Sequence, residues 1–116
     1  LFRIMAGKPV CIRLFDPPLH EFLPSDRQGL RDLAEHLSRP LSDVEARVEA
    51  LREYNPMLGL RGVRVGITVP EIYEMQARAI FEAAVLAGRD GDPVVPEVMI
   101  PLVSAKREVE LVKARV

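Results

Sequence analysis

The sequence has little of what would mark several large protein classes. It has one cysteine, Cys11, and no tryptophan. A single thiol cannot form a disulfide within the chain, so a disulfide-stapled secreted domain is excluded and a reducing cytoplasm is the expected location. No apolar run approaches the roughly 20 residues that a transmembrane helix needs. The first five residues also lack the layout of a signal peptide.

An excess of either charge is missing too. The chain has 16 lysines and arginines, 17 aspartates and glutamates, and a formal net charge of -1. Nucleic acids and anionic membrane surfaces attract basic patches, so neither is an expected partner. With 48% hydrophobic residues, the 116-residue chain can bury the core of one domain. It begins with Leu1 and ends inside a helix-like pattern at Val116, so we expect it to be cut from a larger protein.

Two apolar runs, residues 9–15 and 94–103, predict buried β-strands. Arg13 interrupts the first run, and a charge there is costly unless it lies at the strand end or is paired. Pro17 and Pro18 follow, and prolines cannot sit in a central strand. They predict a rigid loop that leaves the strand end.

Helical spacing predicts helices over residues 25–38 and 71–88. Ser42 and Glu45 form a capping-box pattern before another helix, whose predicted apolar stripe is Val44, Val48, Leu51 and Tyr54. Together with the helix over 25–38, it would make a helical insertion over residues 25–54. The stripe predicted for 71–88 is Ile72, Met75, Ala79, Ile80 and Ala83.

The remaining segments complete an alternating pattern of strands and helices. Residues 55–67 predict a strand or a tight loop, and Pro70 suits the first position of the helix that follows. Ser104 is the expected cap of a last helix, with Val109, Val112 and Val116 on one face. Strands that alternate with helices imply βα units and a parallel sheet, so the predicted fold class is α/β.

Arg13 and Arg61 are the sharpest candidate site residues. Each lies in or beside an apolar stretch, where a solvated side chain is not expected. The guanidinium fork binds phosphate or carboxylate oxygens in pairs, and ligands of βα folds gather at the carboxyl ends of strands. Two such arginines would suit a small dianion. The alternative is a structural ion pair, for example of Arg13 with Asp16 or Glu21.

The histidines and the cysteine give weaker evidence of a functional site. His20 follows two prolines and is expected to bond to backbone, and His36 lies near the polar edge of its helix. Cys11 lies within a predicted strand, so a buried and inert thiol is expected. No spacing of His, Cys, Asp and Glu predicts a metal site.

Four longer stretches of the sequence are distinctive. They are IRLFDPPLHEFLP at 12–24, NPMLGLRGVRVGI at 55–67, PEIYEMQARAIFEAA at 70–84 and PEVMIPLV at 96–103. These stretches closely resemble the pyruvate, phosphate dikinase family, in that family's order and spacing and over nearly the whole chain. The first of them also separates this family from phosphoenolpyruvate synthase and from the enzyme I of the phosphotransferase system.

The resemblance implies a phosphotransferase that interconverts ATP, phosphate and pyruvate with AMP, diphosphate and phosphoenolpyruvate. It implies a histidine on a swivelling domain that carries the phosphoryl group between a nucleotide-binding domain and a (β/α)8 barrel. Residues 1–116 would then be part of a single barrel domain, a partial TIM-type barrel with a helical insertion after the first strand. Their partners would be phosphoenolpyruvate or pyruvate and the other domains of the cytoplasmic enzyme.

The resemblance also assigns site residues. Arg13 and Arg61 match arginines that hold the phosphoryl group of phosphoenolpyruvate, and Asp16 is a weaker match that would orient them. A further family arginine lies upstream of Leu1, and the catalytic Cys and the magnesium-binding Glu and Asp lie beyond Val116. The chain is therefore expected to contain no catalytic residue and no metal ligand, and to be inactive alone.

Two alternatives remain open at the level of sequence. The chain could be a non-catalytic binding or regulatory module built on this piece of fold, or part of a phosphoenolpyruvate synthase. A piece this short cannot close a barrel, which needs roughly 200 residues or more. Self-association is then one way to cover an exposed sheet edge.

Overall fold

The computed structural model describes residues 1–52, 55, 58–89 and 91–116. They form two compact units. The strand unit comprises Leu1–Asp16 and Gly62–Val116, and the hairpin unit comprises Pro17–Arg61. The elements in chain order are β1 (Val10–Arg13), a 3-10 turn (Leu19–Phe22), α1 (Arg27–Leu37), α2 (Leu41–Ala50), α3 (Val63–Thr68), α4 (Pro70–Arg89), β2 (Pro96–Met99) and α5 (Lys106–Lys113).

The sheet confirms the predicted α/β class and the parallel pairing. β1 and β2 run parallel, with Val10 opposite Pro96 and Arg13 opposite Met99. Parallel strands need a long crossover connection, and α4 belongs to the segment that joins them. Both strands are shorter than the apolar runs that predicted them.

The prediction that both strands are buried is wrong for one of their faces. Val10, Ile12 and Val98 are half-buried and pack against the core, whereas the alternate residues are exposed. The exposed residues are Cys11, Arg13, Glu97 and Met99. Because successive side chains of a strand point to opposite faces, elements packed on one side of a sheet bury only every second residue. The expectation of a buried Cys11 is wrong for the same reason.

The core of the strand unit forms where α4 packs against the sheet and its loops. It contains Phe2, Leu14, Val63, Tyr73, Ile80, Ala84 and Val112. The helix predicted over 71–88 is confirmed, and Pro70 is its first residue as expected. Its buried face was predicted only in part. Ile80 is buried and Ile72 packs against the core as predicted, but the other buried side chains are Tyr73, Ala77 and Ala84.

The error in the buried face of α4 is about one residue, which is a rotation of roughly 100° about the helix axis. Met75, which was predicted to be buried, is 65% exposed. Apolar residues occur all round this helix, and Phe81, Val85 and Leu86 are also exposed. Periodicity could not select one face, because more than one stripe fits the spacing.

The prediction of a strand or loop over residues 55–67 is wrong at its carboxyl end, where Val63–Thr68 form α3. Val63 and Val65 are fully buried on either side of Arg64. That apolar, charged, apolar alternation is typical of a strand, but packing of both valines into the core outweighs their weak β-preference.

The hairpin unit contains the predicted helices α1 and α2 in the segment predicted as an insertion. The first of them begins two residues later than predicted, after Asp26, whose carboxylate caps α1 by accepting a hydrogen bond from Gly29 N–H at 2.9 Å. The predicted capping box is wrong, because α2 already begins at Leu41 and Ser42 lies inside its first turn. Pro40 has the extended backbone of the N-cap position, so the helix starts directly after it. The predicted Tyr54 contact lies outside the described residues.

The last helix, α5, begins one residue later than expected, after Ala105. Ser104 donates hydrogen bonds to Glu108 from its N–H and its hydroxyl, instead of acting as the helix cap. Val112 is buried as predicted, whereas Val116 lies beyond the helix and is exposed. The polar face of α5 is thus tied back to the residues before it.

Candidate anion site at a strand end

Arg13 is the last residue of β1, so its side chain lies at the carboxyl end of a parallel strand. Its Nη1 lies 3.3 Å from Oδ2 of Asp16. The Asp16 side chain is only 11% exposed and that of Arg13 is 58% exposed. A nearly buried carboxylate needs a partner, and the guanidinium supplies one. Since Arg carries five N–H donors, one ion pair leaves donors of an exposed fork available to an anion.

The ion pair with Asp16 is one of the two structural pairings considered for Arg13. It does not exclude anion binding, because a carboxylate behind a guanidinium also fixes the direction in which the fork points. At 3.3 Å the two groups attract each other as an ion pair, and the low exposure of the carboxylate keeps water from screening that attraction fully. The arrangement is therefore a cation with a set orientation, at the sheet edge where ligands of βα folds bind.

The two residues that follow β1, Leu14 and Phe15, both form backbone hydrogen bonds to other elements. Leu14 N–H donates to the carbonyl of Met99 at 2.9 Å. Phe15 N–H donates to Oε1 of Gln76 at 2.7 Å, and the Tyr73 hydroxyl donates to the carbonyl of Phe15 at 2.9 Å. The strand end that carries Arg13 and Asp16 is thus held by β2 on one side and by α4 on another.

Gly62 closes the site from the following loop. Its N–H donates to the carbonyl of Asp16 at 3.1 Å, and its φ of +56° lies in the left-handed region. A Cβ there would lie 3.0 Å from Cβ of Leu102 and 3.1 Å from the carbonyl oxygen of Pro101. Glycine is therefore required both for the backbone conformation and for the close approach of the loop after β2.

Tyr73 is buried below the strand end, with 1% of its surface exposed. Burial, with a smaller contribution from the Asp16 carboxylate, raises the pKa of Tyr73 to about 12. A Cβ at Gly66 would overlap the Tyr73 ring, so the glycine of α3 leaves the space that the ring occupies. The raised pKa keeps the hydroxyl protonated, and able to donate, up to a higher pH than that of an ordinary tyrosine.

The other predicted residues lie elsewhere. Arg61 belongs to the hairpin unit, where its N–H donates to the carbonyl of Gly59 at 3.0 Å. That it shares an anion with Arg13 stays a prediction. His36 is exposed, with Nδ1 2.9 Å from the carbonyl of Asp32. His20 Nδ1 is buried and has no hydrogen-bond partner among the described residues, so the expected backbone bond is not made by this atom.

Sequence reasoning missed Tyr73 and Gln76. Both lie in the stretch 70–84 that carries the family resemblance, but no role was assigned to either. The available signal was their spacing, because residues three apart share a helix face and two polar groups on a buried face need partners. The misplaced apolar stripe of α4 hid that signal.

The structure describes 111 of the 116 residues, all but 53, 54, 56, 57 and 90. Within them, no three side chains of His, Cys, Asp or Glu are grouped so as to hold a metal ion. Within them too, none of the helices has the length and apolar character to cross a membrane.

Comparison with known proteins agrees with the family resemblance of the four sequence stretches. The family described as PEP-utilising enzyme, PEP-binding domain matches this chain over residues 1–116. The chain is 56% identical to a pyruvate, phosphate dikinase of Rhizobium meliloti (strain 1021) over 117 residues, and 53% identical to one of Giardia intestinalis over 116. A pyruvate, phosphate dikinase of Clostridium symbiosum is 44% identical over 114 residues. The alignments cover 100%, 100% and 97% of this chain but only 13% of each relative.

Proposed function

The chain belongs to the PEP-binding domain family of PEP-utilising enzymes, and from this we propose that it is a segment of a pyruvate, phosphate dikinase. The parent enzyme would interconvert ATP, phosphate and pyruvate with AMP, diphosphate and phosphoenolpyruvate. This segment would supply arginines that bind the phosphoryl group of phosphoenolpyruvate. The lone cysteine supports a cytoplasmic location.

We propose that the two parallel strands belong to a (β/α)8 barrel. Parallel sheets occur almost only with both faces covered. Here the face that carries Cys11 and Arg13 on β1, and Glu97 and Met99 on β2, is exposed. A barrel closed by further strands would enclose that face as its interior. The exposed alternate residues of both strands therefore support the barrel.

The observation that carries the proposed role is the Arg13 guanidinium, held 3.3 Å from a nearly buried Asp16 at the carboxyl end of β1. Phosphoryl transfer requires little covalent chemistry from the protein. It depends on cations that are already in place where negative charge develops. A half-exposed fork that is oriented from behind by a carboxylate has that property. Arg61 is proposed as a second ligand, on the strength of the family resemblance.

Magnesium is proposed for the parent enzyme only. The described residues contain no grouped set of potential metal ligands, so the donors present do not fit a metal site of their own. We therefore propose that the ligands of the metal lie elsewhere in the parent protein. We propose that the carrier histidine and the nucleotide site also lie elsewhere in the parent protein.

The proposal is tested by substituting Arg13 in a full-length dikinase in which this chain replaces the matching segment of the Rhizobium meliloti protein. Arg13→Lys keeps the charge and removes the fork, so exchange between pyruvate and phosphoenolpyruvate should fall by about a hundredfold. Phosphorylation of the carrier histidine by ATP should continue at the rate of the unsubstituted chimera. Exchange at an unchanged rate would refute the assignment of Arg13.

The matched control is Arg78→Lys on α4. Arg78 makes an exposed ion pair with Glu82 at 3.1 Å, and its side chain is 80% exposed. Exposed pairs contribute little, so exchange should stay within about twofold of the unsubstituted chimera. A similar loss in both variants would point to a general effect of losing an arginine instead of a site at Arg13.

A further inference from the structure

Two side chains of α4 hold both backbone groups of one residue beside the candidate site. Phe15 N–H donates to Gln76 Oε1 at 2.7 Å, and Phe15 C=O accepts from the Tyr73 hydroxyl at 2.9 Å. Phe15 lies past the end of β1, where the sheet no longer supplies partners for the backbone. Buried backbone groups are almost always paired, and here helix side chains take the place of a strand.

These two bonds act on the geometry of the ion pair. Asp16 directly follows Phe15, and Arg13 precedes it by two residues. Rotation of the Phe15 peptide units would swing the Asp16 carboxylate relative to the guanidinium that lies 3.3 Å from it. The carbonyl of Asp16 is held separately by Gly62 N–H at 3.1 Å. The backbone that carries the Asp16 carboxylate is therefore held by bonds at Phe15 and at Asp16 itself.

Packing alone does not explain Tyr73. A phenylalanine would fill the same space above Gly66, and a buried hydroxyl is unfavourable unless it forms a hydrogen bond. The hydroxyl does form one, with a backbone carbonyl next to Asp16 instead of with a group of its own helix. Gln76 is a second polar side chain of the same helix, and it bonds the same residue.

We propose that Tyr73 and Gln76 are positioning residues, which set the orientation of the Arg13–Asp16 pair by clamping Phe15. They do not touch the bound anion and act through Arg13. This inference rests on the proposed function of Arg13 and adds to it two residues of α4. It predicts that losing the clamp weakens phosphoryl transfer only while the Arg13 fork is present.

The test is a double-mutant cycle in the same chimeric dikinase, with the exchange of pyruvate and phosphoenolpyruvate as the readout. Tyr73→Phe removes the hydroxyl and keeps the ring, and it should lower kcat/KM by about tenfold. In the Arg13→Lys background the same change should cost less than about twofold, because the group through which Tyr73 acts is already lost. Equal losses in both backgrounds would mean a purely structural role.

Thr68→Val is the matched control. The Thr68 hydroxyl also donates to a backbone carbonyl at 2.9 Å, that of Arg64, but the bond lies within α3. Thr68→Val should therefore leave kcat/KM within about twofold of the unsubstituted chimera. A loss as large as that of Tyr73→Phe would overturn the claim that the bond to Phe15 is special.

Hydrogen exchange supplies a readout that does not depend on phosphoenolpyruvate. Gln76→Leu removes the acceptor of Phe15 N–H, so within the peptide of residues 10–16 the Phe15 amide should exchange at least about tenfold faster in the chimera. Unchanged exchange would mean that no clamp exists. If Arg13→Lys left the exchange of pyruvate and phosphoenolpyruvate unchanged, the proposed function itself would be refuted. Faster exchange without coupling to Arg13 would refute only the positioning role.

Discussion

At the scale of single residues, the strand unit shows how one buried hydroxyl responds to its surroundings. Burial is the main cause that raises the pKa of Tyr73 from 10.0 to about 12, and the nearby Asp16 carboxylate adds to it. The folded state therefore keeps the phenol protonated at a pH at which the unfolded chain has already lost the proton.

This difference predicts an alkaline loss of stability. Because the folded pKa is raised, the contribution is complete below pH 10 and disappears as the pH rises towards 12. The free energy of unfolding of the chain should fall by about 2 kcal/mol over that interval, and Tyr73→Phe should lack this part of the decrease. Urea unfolding of both proteins at pH 9 and pH 11.5 measures it. A stability difference that is the same at both pH values would contradict the prediction.

Arg61 gives a second prediction at this scale. In the chimeric dikinase, Arg61→Lys should impair transfer between the carrier histidine and pyruvate, because lysine retains the charge but cannot form the paired bonds of a fork. We expect a loss of about a hundredfold in the exchange of pyruvate and phosphoenolpyruvate. The half-reaction with ATP, which uses another domain in this proposal, serves as the internal control. Normal exchange would remove Arg61 from the site.

Part of the site could be predicted from the sequence. Arg13 interrupts an apolar run directly before two prolines, and that arrangement indicates a strand end without any structure. Tyr73 and Gln76 could not be found in this way. Their partner is Phe15, 58 and 61 positions away in the chain, and no local pattern records which backbone groups a helix will meet.

At the scale of elements, α5 is anchored at its start by one carboxylate. Glu108 accepts hydrogen bonds from Ser104 N–H at 2.7 Å, from Ala105 N–H at 2.9 Å and from the Ser104 hydroxyl at 3.1 Å. The Ser104 N–H bond is the largest cause that lowers the pKa of Glu108 below 4.5, followed by that of Ala105. The carboxylate thus satisfies backbone donors before the helix that would otherwise lack a partner.

This anchor predicts an acid-sensitive helix start. Since the folded pKa of Glu108 is lowered, its contribution is present above pH 4.5 and is lost as the pH falls below that value. Glu108→Gln should make the unfolding midpoint less dependent on pH between 5 and 3. Glu110→Gln is the control, because Glu110 contacts the Lys106 and Arg107 side chains in place of backbone. The prediction fails if both variants retain the acid dependence of the original chain.

The elements themselves were predicted unevenly, and the reasons are physical. The helix of Pro70–Arg89 has many turns of consistent spacing, so its existence was clear while its buried face was not. The six residues of Val63–Thr68 make too short a helix to show a helical period. Their valines also favoured the prediction of a strand, because valine is enriched in strands. The parallel pairing followed from alternation alone, but the register depends on contacts between residues far apart in the chain.

At the scale of the whole molecule, the sheet of the strand unit consists of two parallel strands in the part of the chain that the structure describes. Among the described residues β1 pairs with β2 alone, so each strand has an unpaired edge. Unpaired edges attract other strands. The chain spans 13% of the length of the relatives that it matches, and we propose that other segments of a larger protein pair with these edges.

The isolated 116-residue chain should accordingly be a poor ligand-binding protein. With only part of the proposed site present, we expect it to bind phosphoenolpyruvate no more tightly than about millimolar, a standard free energy near -4 kcal/mol. It should turn over no pyruvate and bind neither ATP nor magnesium specifically. Calorimetric titration of the purified chain measures this. Micromolar binding that depends on magnesium would show a complete site and overturn the segment proposal.

The competing view, a stand-alone binding or regulatory module, is separated from the dikinase by the mass of the native protein. A module would have a mass near the 13.0 kDa of this chain. A segment of an enzyme would be found in a polypeptide several times larger. An immunoblot of the source cells under denaturing conditions distinguishes the two, and a single band near the mass of the chain would contradict the enzyme.

The parallel pairing of β1 with β2 also has a consequence for synthesis on the ribosome. Val10 is translated long before its partner Pro96, and the whole hairpin unit is made between them. At about 5–20 residues per second, β1 waits on the order of 4–17 seconds for the strand that completes its backbone bonds. The contacts of α1 with α2 are local and can form during that interval. The nascent chain therefore exposes the Val10–Arg13 strand for seconds, which makes that strand a natural target for a chaperone that binds extended apolar segments.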